Sequence, residues 1–507
     1  MYKKELPRVS PESEGISSKK IQNTIEWLEE NVSEMHGFMV ARNGKVISEC
    51  WWSPYNKDLV HICHSFGKSY ACTGIGLACS ERLLSVDDHI VDIFSEEIEK
   101  YGVNVSENLR KLTVHHVLSM QDGMTRIPMV GPDFVKNFLQ MEVDQEPGTQ
   151  WLYNTAGSCL LVAIVEKVSG MSIWDYMCPR VFQKIGIETD KIKWQKFRNG
   201  GTYAATGVSS TTENKLRLGM LYLNMGLWEG EQILDREWVQ QATSKQADNS
   251  CNPSNPDPNG TSGYGYQLWL NKLPGVYRFD GGHGQFSIMC PRLNMVVSVN
   301  ASGCHEWGPN NILDAVDRLF EEEYPDNLPE NPENLASLRE FERTRSLPLP
   351  ESRPLSQDYR SWEGIYETTA GEFHLHPELR PFDTFNAYAV DFYDREDVNT
   401  KTISIRFPSE SSCELVLDGI YRFDVRLDGT FSLVHTGSAY PAYYTTQSSG
   451  YFEGDTFVIH SRYLQTAFRG TMYLTKTDDG LMIRVKKDKL HEESPYFYMN
   501  AQAKKIL

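Results

Sequence analysis

Ser65-Phe66-Gly67-Lys68 sets a hydroxyl and an amine three residues apart. On a helix that spacing brings both side chains to one face. The surrounding stretch, His64 to Cys79, consists mostly of small and apolar residues, which predicts a helix packed on most of its sides. Ser65 falls at the predicted helix start, where serine is a favoured cap and the exposed N–H groups favour negative charge. A lysine among such neighbours loses hydration, which lowers its pKa and lets it work as a base. Serine is a poor nucleophile until such a base takes its proton. The chemistry this pair offers is acyl transfer through a serine ester.

The same spacing recurs at Ser17 and Lys20, ahead of the amphipathic segment Lys19–Val32. There the pattern predicts a capping serine and a solvated lysine. What separates Ser65 from Ser17 is that no polar face surrounds Lys68.

The elements that must position Ser65 are legible in outline. Phe38–Ala41 and Val46–Glu49 flank Asn43-Gly44, the strongest short signal for a hairpin. Trp151-Leu152-Tyr153-Asn154-Thr155 follows the turn Pro147-Gly148 and leads into an apolar helix over Ser158–Val168. Gly200-Gly201-Thr202 and Gly207–Thr211 read as a glycine-rich wall before a helix around Asn214–Asn224, and Asp248–Gly263 as a long surface loop. Strand-like runs return at Tyr264–Trp269, Gln285–Met289 and Met295–Val299, before an amphipathic helix over Ile312–Tyr324. Strands at both ends with helices between them predict an α+β domain whose single sheet joins the two termini. Proline-rich residues 325–357 read as a linker. Beyond it, alternating segments separated by Asp418-Gly419, Asp428-Gly429 and Asp479-Gly480 predict hairpins closing into a small barrel. The expected organisation is 1–324, a linker over 325–357, and an all-β domain over 358–507.

With 507 residues the chain is too long for one core. A net charge of −18 argues against nucleic acid and anionic membranes, which select basic surfaces. The start Met1–Pro7 lacks the apolar core of a signal peptide and the 10 cysteines form no Cys-x-x-Cys pair, so a cytoplasmic location with reduced thiols is expected. His61, Cys63 and His64, or His115-His116, have no matching second half of a metal site, and neither metal nor cofactor is expected. Oligomeric state is left open.

Taken together, residues 1–324 resemble the serine β-lactamase and penicillin-binding protein family, in particular its cytosolic esterase and D-aminopeptidase branch. Ser65–Lys68 resembles the family's Ser-x-x-Lys, Leu112–Met124 its "LT…LL…SG" segment, and Pro147–Tyr153 its "PGT-x-W-x-Y" approach to Tyr-x-Asn. Residues 219–243 are similar to a helix and loop of the same proteins. The resemblance implies an antiparallel sheet with flanking helices. It makes Ser65 the nucleophile, Lys68 its base or the base's electrostatic partner, Tyr153 the proton shuttle, and the backbone N–H groups of Ser65 and Gln285 the oxyanion hole. The appended β-domain resembles the lipocalin-like domains of some D-aminopeptidase relatives.

Two departures bear on substrate. Thr155 stands where the family has its motif asparagine and Asn154 lies one residue earlier, so either could hold a substrate amide. The third motif is best matched by Gly281-Gly282-His283-Gly284-Gln285, with Gly282 or His283 where a permanent cation is usual. The expected activity is hydrolysis of small esters, amides or D-amino-acid peptides, with β-lactams turned over weakly. The alternative is a member that has lost turnover and serves in ligand binding or sensing. Cys63–Gly67 lacks the first glycine of Gly-x-Ser-x-Gly, which argues against an α/β-hydrolase.

Overall fold

The computed structural model describes residues 5–128, 130, 133–194, 196, 202, 207–252, 257–302, 310–355, 358–373, 399–435, 445–466, 469–487 and 498–507. Gly200 and Gly201 of the glycine-rich wall lie outside the described residues. The chain divides into two compact units, Met1–Ser346 and Leu347–Leu507.

In the first unit β1 (Glu34–Arg42) and β2 (Lys45–Trp51) form the expected hairpin. Asn43 and Gly44 both take positive φ, 51° and 78°, as a two-residue turn between twisted strands requires. Three short strands follow, β3 (His61–Ile62), β4 (Ile192–Trp194) and β5 (Val208–Ser210), paired in the order β3-β5-β4. A small hairpin comprises β6 (Leu227–Trp228) and β7 (Glu231–Gln232). Then come β8 (Trp269–Leu270), β9 (Tyr277–Gly281), β10 (Gln285–Cys290) and β11 (Met295–Ser302). They join the first hairpin in an antiparallel sheet of order β2-β1-β11-β10-β9-β8. The two ends of this unit therefore meet at the β1–β11 pair, as the distribution of strand signals predicts. Every residue of β1 is buried, so the sheet is covered on both faces. Helix Thr212–Leu223 packs on β1, β10 and β11, and helix Ser18–Asn31 packs on β1 and on helix Asn311–Phe320.

The helix that follows Ser65 spans Gly67–Ser80 and is buried from Gly67 to Ala78. It packs against helix Thr155–Ser169, whose first eight residues are buried as well. Small side chains permit this depth. A Cβ on Gly76 would stand 2.3 Å from Trp238 Nε1, so only glycine fits there. Among the described residues no single helix is long and apolar enough to cross a membrane.

The linker reading of 325–357 is corrected in part. Pro332–Thr344 is a helix, with Pro332 in its first turn and Asn331 capping Asn334 N. It packs on the edge strand β2 and on helix Ser18–Asn31. Arg339 donates to Ile47 O and Val9 O, each at 3.0 Å, while Ser48 Oγ donates to Glu342 at 2.6 Å. A charged pair on the helix thus meets polar groups of a strand edge that is otherwise a template for aggregation. Proline content suggested a spacer, but Leu338 and the side chains of Arg339 and Glu342 tie the segment to the sheet.

The second unit is an antiparallel barrel with a short 3₁₀ turn at Tyr359–Trp362. Its strands are β12 (Gly364–Gly371), β13 (Thr402–Ser409), β14 (Ser412–Leu417), β15 (Tyr421–Arg426), β16 (Ser432–His435), β17 (Thr445–Glu453), β18 (Thr456–Tyr463), β19 (Arg469–Lys476), β20 (Gly480–Lys487) and β21 (Tyr498–Lys505). Nine of them form a closed ring, β15-β14-β13-β12-β21-β20-β19-β18-β17, completed by the parallel pair Val425↔Ser448 and Arg426↔Ser449. β16 pairs alongside β17. Ile403, Ile405, Leu415, Phe457, Ile459, Leu474 and Ile483 fill the interior, each on the inward step of its strand's alternation. Closure removes the free edges that a ten-stranded open sheet would expose.

The boundary at Ser346 carries a test. A protease of broad specificity should cut the full chain within 347–355, where Leu349 is 75% exposed, and leave helix Pro332–Thr344 on the N-terminal fragment. A stable fragment ending before Pro332 would show instead that the helix belongs to a mobile spacer.

Candidate active site

Ser65 lies in a tight turn, His64–Phe66, between β3 and helix Gly67–Ser80. Cys63 N donates to Val208 O at 2.7 Å, anchoring the turn to β5. His64 has φ +48°, a conformation that costs a non-glycine residue about 1 kcal/mol or more. Lys68 Nζ stands 2.8 Å from Ser65 Oγ, and Lys68 is only 1% exposed. Ser65 itself is half-buried. It does not cap the helix: the cap position is Phe66, without a side-chain hydrogen bond, and the Ser65 hydroxyl is turned to Lys68. The other Ser-x-x-Lys behaves as expected of a surface helix. Ser17 Oγ accepts from Lys20 N at 3.2 Å, and the Lys20 ammonium pairs with Glu322.

Tyr153 joins this pair from the start of the neighbouring helix. Lys68 Nζ lies 5.0 Å from the centroid of its ring, within reach of the negative π face. The ring is 5.5 Å from that of Trp269 and 6.4 Å from that of Tyr264. Together with Met120 and Trp151, those two residues make a buried apolar cluster that fixes where Tyr153 can sit. Trp269 and Tyr264 lie more than a hundred residues downstream of Tyr153, and no local pattern marks them.

Asn154 does not hold a substrate amide in this arrangement. It is fully buried and caps helix Thr155–Ser169, its Oδ1 accepting from Ala156 N at 3.0 Å and Gly157 N at 3.3 Å. Its Nδ2 donates to Asp122 Oδ2 at 2.7 Å. Every polar group of the side chain is engaged in the fold, and the signal for this was an asparagine directly before an apolar helix. Burial pushes the Asp122 carboxyl up to about 6, against the hydrogen bonds from Met124 N and Asn154. Thr155, also buried, is the first residue of the helix.

The third segment is a hairpin turn. Gly281 ends β9, Gln285 begins β10, and the two face each other across Gly282-His283-Gly284. His283 and Gly284 have φ of +67° and +97°. The His283 ring meets the His64 ring edge-on, 5.0 Å between centroids, so the turn stands beside the Ser65 turn. Gln285 donates its side-chain amide to Ala301 O at 2.7 Å, which fixes the start of β10 against β11. Gly281 makes the approach possible: a Cβ there would lie 2.0 Å from Cys63 O and 3.1 Å from Phe66 N. Gly281→Ala must therefore push the two turns apart. A misplacement near 1 Å is expected to lower the rate of Ser65 acylation about a hundredfold, read with an active-site-directed probe on protein whose circular dichroism is unchanged. Full reactivity of Gly281→Ala would mean that the turn does not set the geometry of the site.

A second lysine, missed in the sequence, backs the same turn. Lys215 is fully buried on helix Thr212–Leu223, donates to Val299 O at 2.6 Å and lies 5.5 Å from the centroid of the Phe66 ring. Its signal was a charge interrupting the apolar side of a helix. Burial pulls its pKa down to about 8 from an ordinary 10.5. Between those values the unfolded chain binds the proton and the folded chain does not, so stability rises with pH. Relative to Lys215→Met, the wild-type protein should gain roughly 2–3 kcal/mol of unfolding free energy from pH 7 to pH 10.5, measured by urea denaturation. Parallel pH dependences of the two proteins would show that Lys215 keeps an ordinary pKa.

The remaining histidines of the sequence reading are held by the fold. His61 Nε2 meets His36 Nδ1 at 3.0 Å, His115 Nδ1 meets Tyr266 OH at 2.8 Å, and His116 Nδ1 accepts from Thr113 N at 3.1 Å. Among the described residues no group of three or more His, Cys, Asp or Glu is arranged to hold a metal.

Comparison with known proteins gives the family. Residues 28–318 match the beta-lactamase family, more than half of the chain. The chain belongs to that family. An uncharacterised protein of Alkalihalophilus pseudofirmus is 24% identical over 318 residues, covering 54% of this chain and 86% of that protein. A Bacillus anthracis structure provisionally named as a 6-aminohexanoate-dimer hydrolase shares the fold at 18% identity, with a TM-score of 0.50 over 62% of this chain and 86% of that one. The octameric penicillin-binding protein homologue of Pyrococcus abyssi is similar over 96% of this chain and 99% of its own, at 15% identity and a TM-score of 0.47.

Proposed function

We propose that this beta-lactamase family member is a serine hydrolase acting on small neutral esters, or on amides without a free carboxylate, D-aminoacyl amides included, through an acyl-Ser65 intermediate. The observation that carries the reading is the 2.8 Å contact between Ser65 Oγ and the buried Lys68 Nζ. Ser65 Oγ attacks the substrate carbonyl while Lys68 and Tyr153, acting as one unit, take its proton and deliver it to the leaving alcohol or amine. The N–H groups of Ser65 and Gln285 stabilise the oxyanion that forms in between. Water then releases the acid and restores the serine. The substrate class follows from the turn Gly282–Gly284. It offers Gly282 or His283 where a permanent cation would be needed for a substrate carboxylate, and neither a glycine nor an imidazole is one at neutral pH. A missing charge-assisted bond of about 1.5–3 kcal/mol weakens such substrates by one to two orders of magnitude.

Intact mass after exposure to p-nitrophenyl acetate, a D-alanyl amide and a cephalosporin tests both parts. Acyl adducts or turnover are expected with the first two, little with the third, and none with Ser65→Ala; Ser17→Ala should behave as wild type. Adducts surviving Ser65→Ala would remove the nucleophile assignment. Rapid cephalosporin hydrolysis with the ester untouched would overturn the substrate class, and no adduct with any substrate would favour a binding member of the family.

A further inference from the structure

Tyr153 is attached on both sides to one short segment earlier in the chain. Leu152 N donates to Met120 O at 2.9 Å, and Asn154 N donates to Met120 Sδ at 3.1 Å. Two residues beyond Met120, Asp122 Oδ2 accepts from Asn154 Nδ2 at 2.7 Å, while Oδ1 accepts from Met124 N at 3.0 Å. Asp122 is fully buried. Among the described residues no charged group bears on it. Its surroundings are Asn154, the main chain of Met124 and, beside Gly157, the side chains of Val117 and Phe138, none of which ionises.

A buried carboxylate without a cation is costly, and an asparagine of the same shape would be neutral. The two hydrogen bonds explain why the acid stands there. Asn154 Oδ1 is committed to Ala156 N and Gly157 N, so the amide cannot turn over and Nδ2 must face Asp122. Met124 N faces the same carboxylate at its other oxygen. Both neighbours are donors, and only a carboxylate presents a full acceptor to each. An amide in its place sets a donor against one of them and strands a buried polar group. Protonation of the acid removes the charge that strengthens both bonds. The N-terminus of helix Thr155–Ser169, close by at Gly157, favours the anion as well. We propose that Asp122, as a carboxylate, is a positioning residue that holds Tyr153 against Lys68 through Asn154. This role rests on the hydrolase reading above, in which Tyr153 and Lys68 move the proton. Because the Asp122 carboxyl is pushed up to about 6, mild acid neutralises it, and Asp122→Asn imitates that neutral state at every pH.

Hydrolysis of p-nitrophenyl acetate by the full chain between about pH 5 and pH 8 tests this, with wild type, Asp122→Asn, Tyr153→Phe and the double variant. At the alkaline end Asp122→Asn should lower kcat about ten- to a hundredfold with KM little changed, as a misplaced proton-transfer group does. The ratio of wild-type to Asp122→Asn rates should shrink toward one at the acid end, where wild type loses the charge too. Other titrating groups cancel in that ratio. In the Tyr153→Phe background Asp122→Asn should change kcat less than about twofold, since residues acting as one unit are not additive. A ratio that stays flat with pH, or an undiminished loss in the Tyr153→Phe background, overturns the role. Crystal structures supply a readout that needs no turnover. Tyr153 should leave its place against Lys68, where the ring centroid lies 5.0 Å from Nζ, both in Asp122→Asn and in wild type at the acid end. An unmoved Tyr153 in both overturns the role even for an inactive protein, whereas inactivity with Tyr153 displaced counts against the hydrolase reading alone. If Asp122→Asn fails to fold, the wild-type structures at the two ends of the pH range decide.

Discussion

The first unit is organised around the burial of the Lys68 side chain beside Ser65. Lys68 is 1% exposed, and removing a cation from solvent costs several kcal/mol unless polar groups surround it. Here the offset comes from Ser65 Oγ at 2.8 Å and from the face of the Tyr153 ring. A helix of ordinary side chains could not carry Lys68 to that depth. Glycine, alanine, serine and cysteine let Gly67–Ser80 pass close to both helix Thr155–Ser169 and Trp238. The helix sequence is thus a packing solution that also sets the amine beside the hydroxyl.

Three distant segments must then meet at that pair, the Ser65 turn among them, and each is held by a different kind of force. The Ser65 turn is tied by a backbone hydrogen bond to β5. Tyr153 is held by aromatic contact with Trp269 and by the capped helix behind it. The Gly282–Gly284 turn is delivered by the β9–β10 hairpin and admitted only because Gly281 lacks a side chain. His64 and His283, which meet edge-on, both adopt positive φ. Unfavourable backbone geometry at two facing positions persists where the surrounding sheet over-determines it, and such positions cluster at functional sites.

Away from the site, charge also serves the architecture. At the edge of β2, Arg339 and Glu342 neutralise each other and satisfy polar groups of the strand, so helix Pro332–Thr344 protects the sheet.

The sequence by itself determined the elements whose signals are local. The Asn43-Gly44 hairpin, the depth of the Ser65 helix, the contrast between Ser65 and Ser17, the sheet joining the two ends of the unit and the run of hairpins closing into a barrel all follow from nearest-neighbour chemistry and periodicity. So does the family, because Ser65–Lys68, Leu112–Met124 and Pro147–Tyr153 occur in order along the chain. Tertiary structure decided the rest. It assigned Asn154 to a helix cap and Asp122, and set Trp269 against Tyr153. It folded Pro332–Thr344 onto β2 inside a proline-rich stretch, and turned Lys215 inward behind Phe66. Each of these depends on which groups compete for a buried position. That competition is settled by contacts between residues far apart in the chain, which no local pattern encodes.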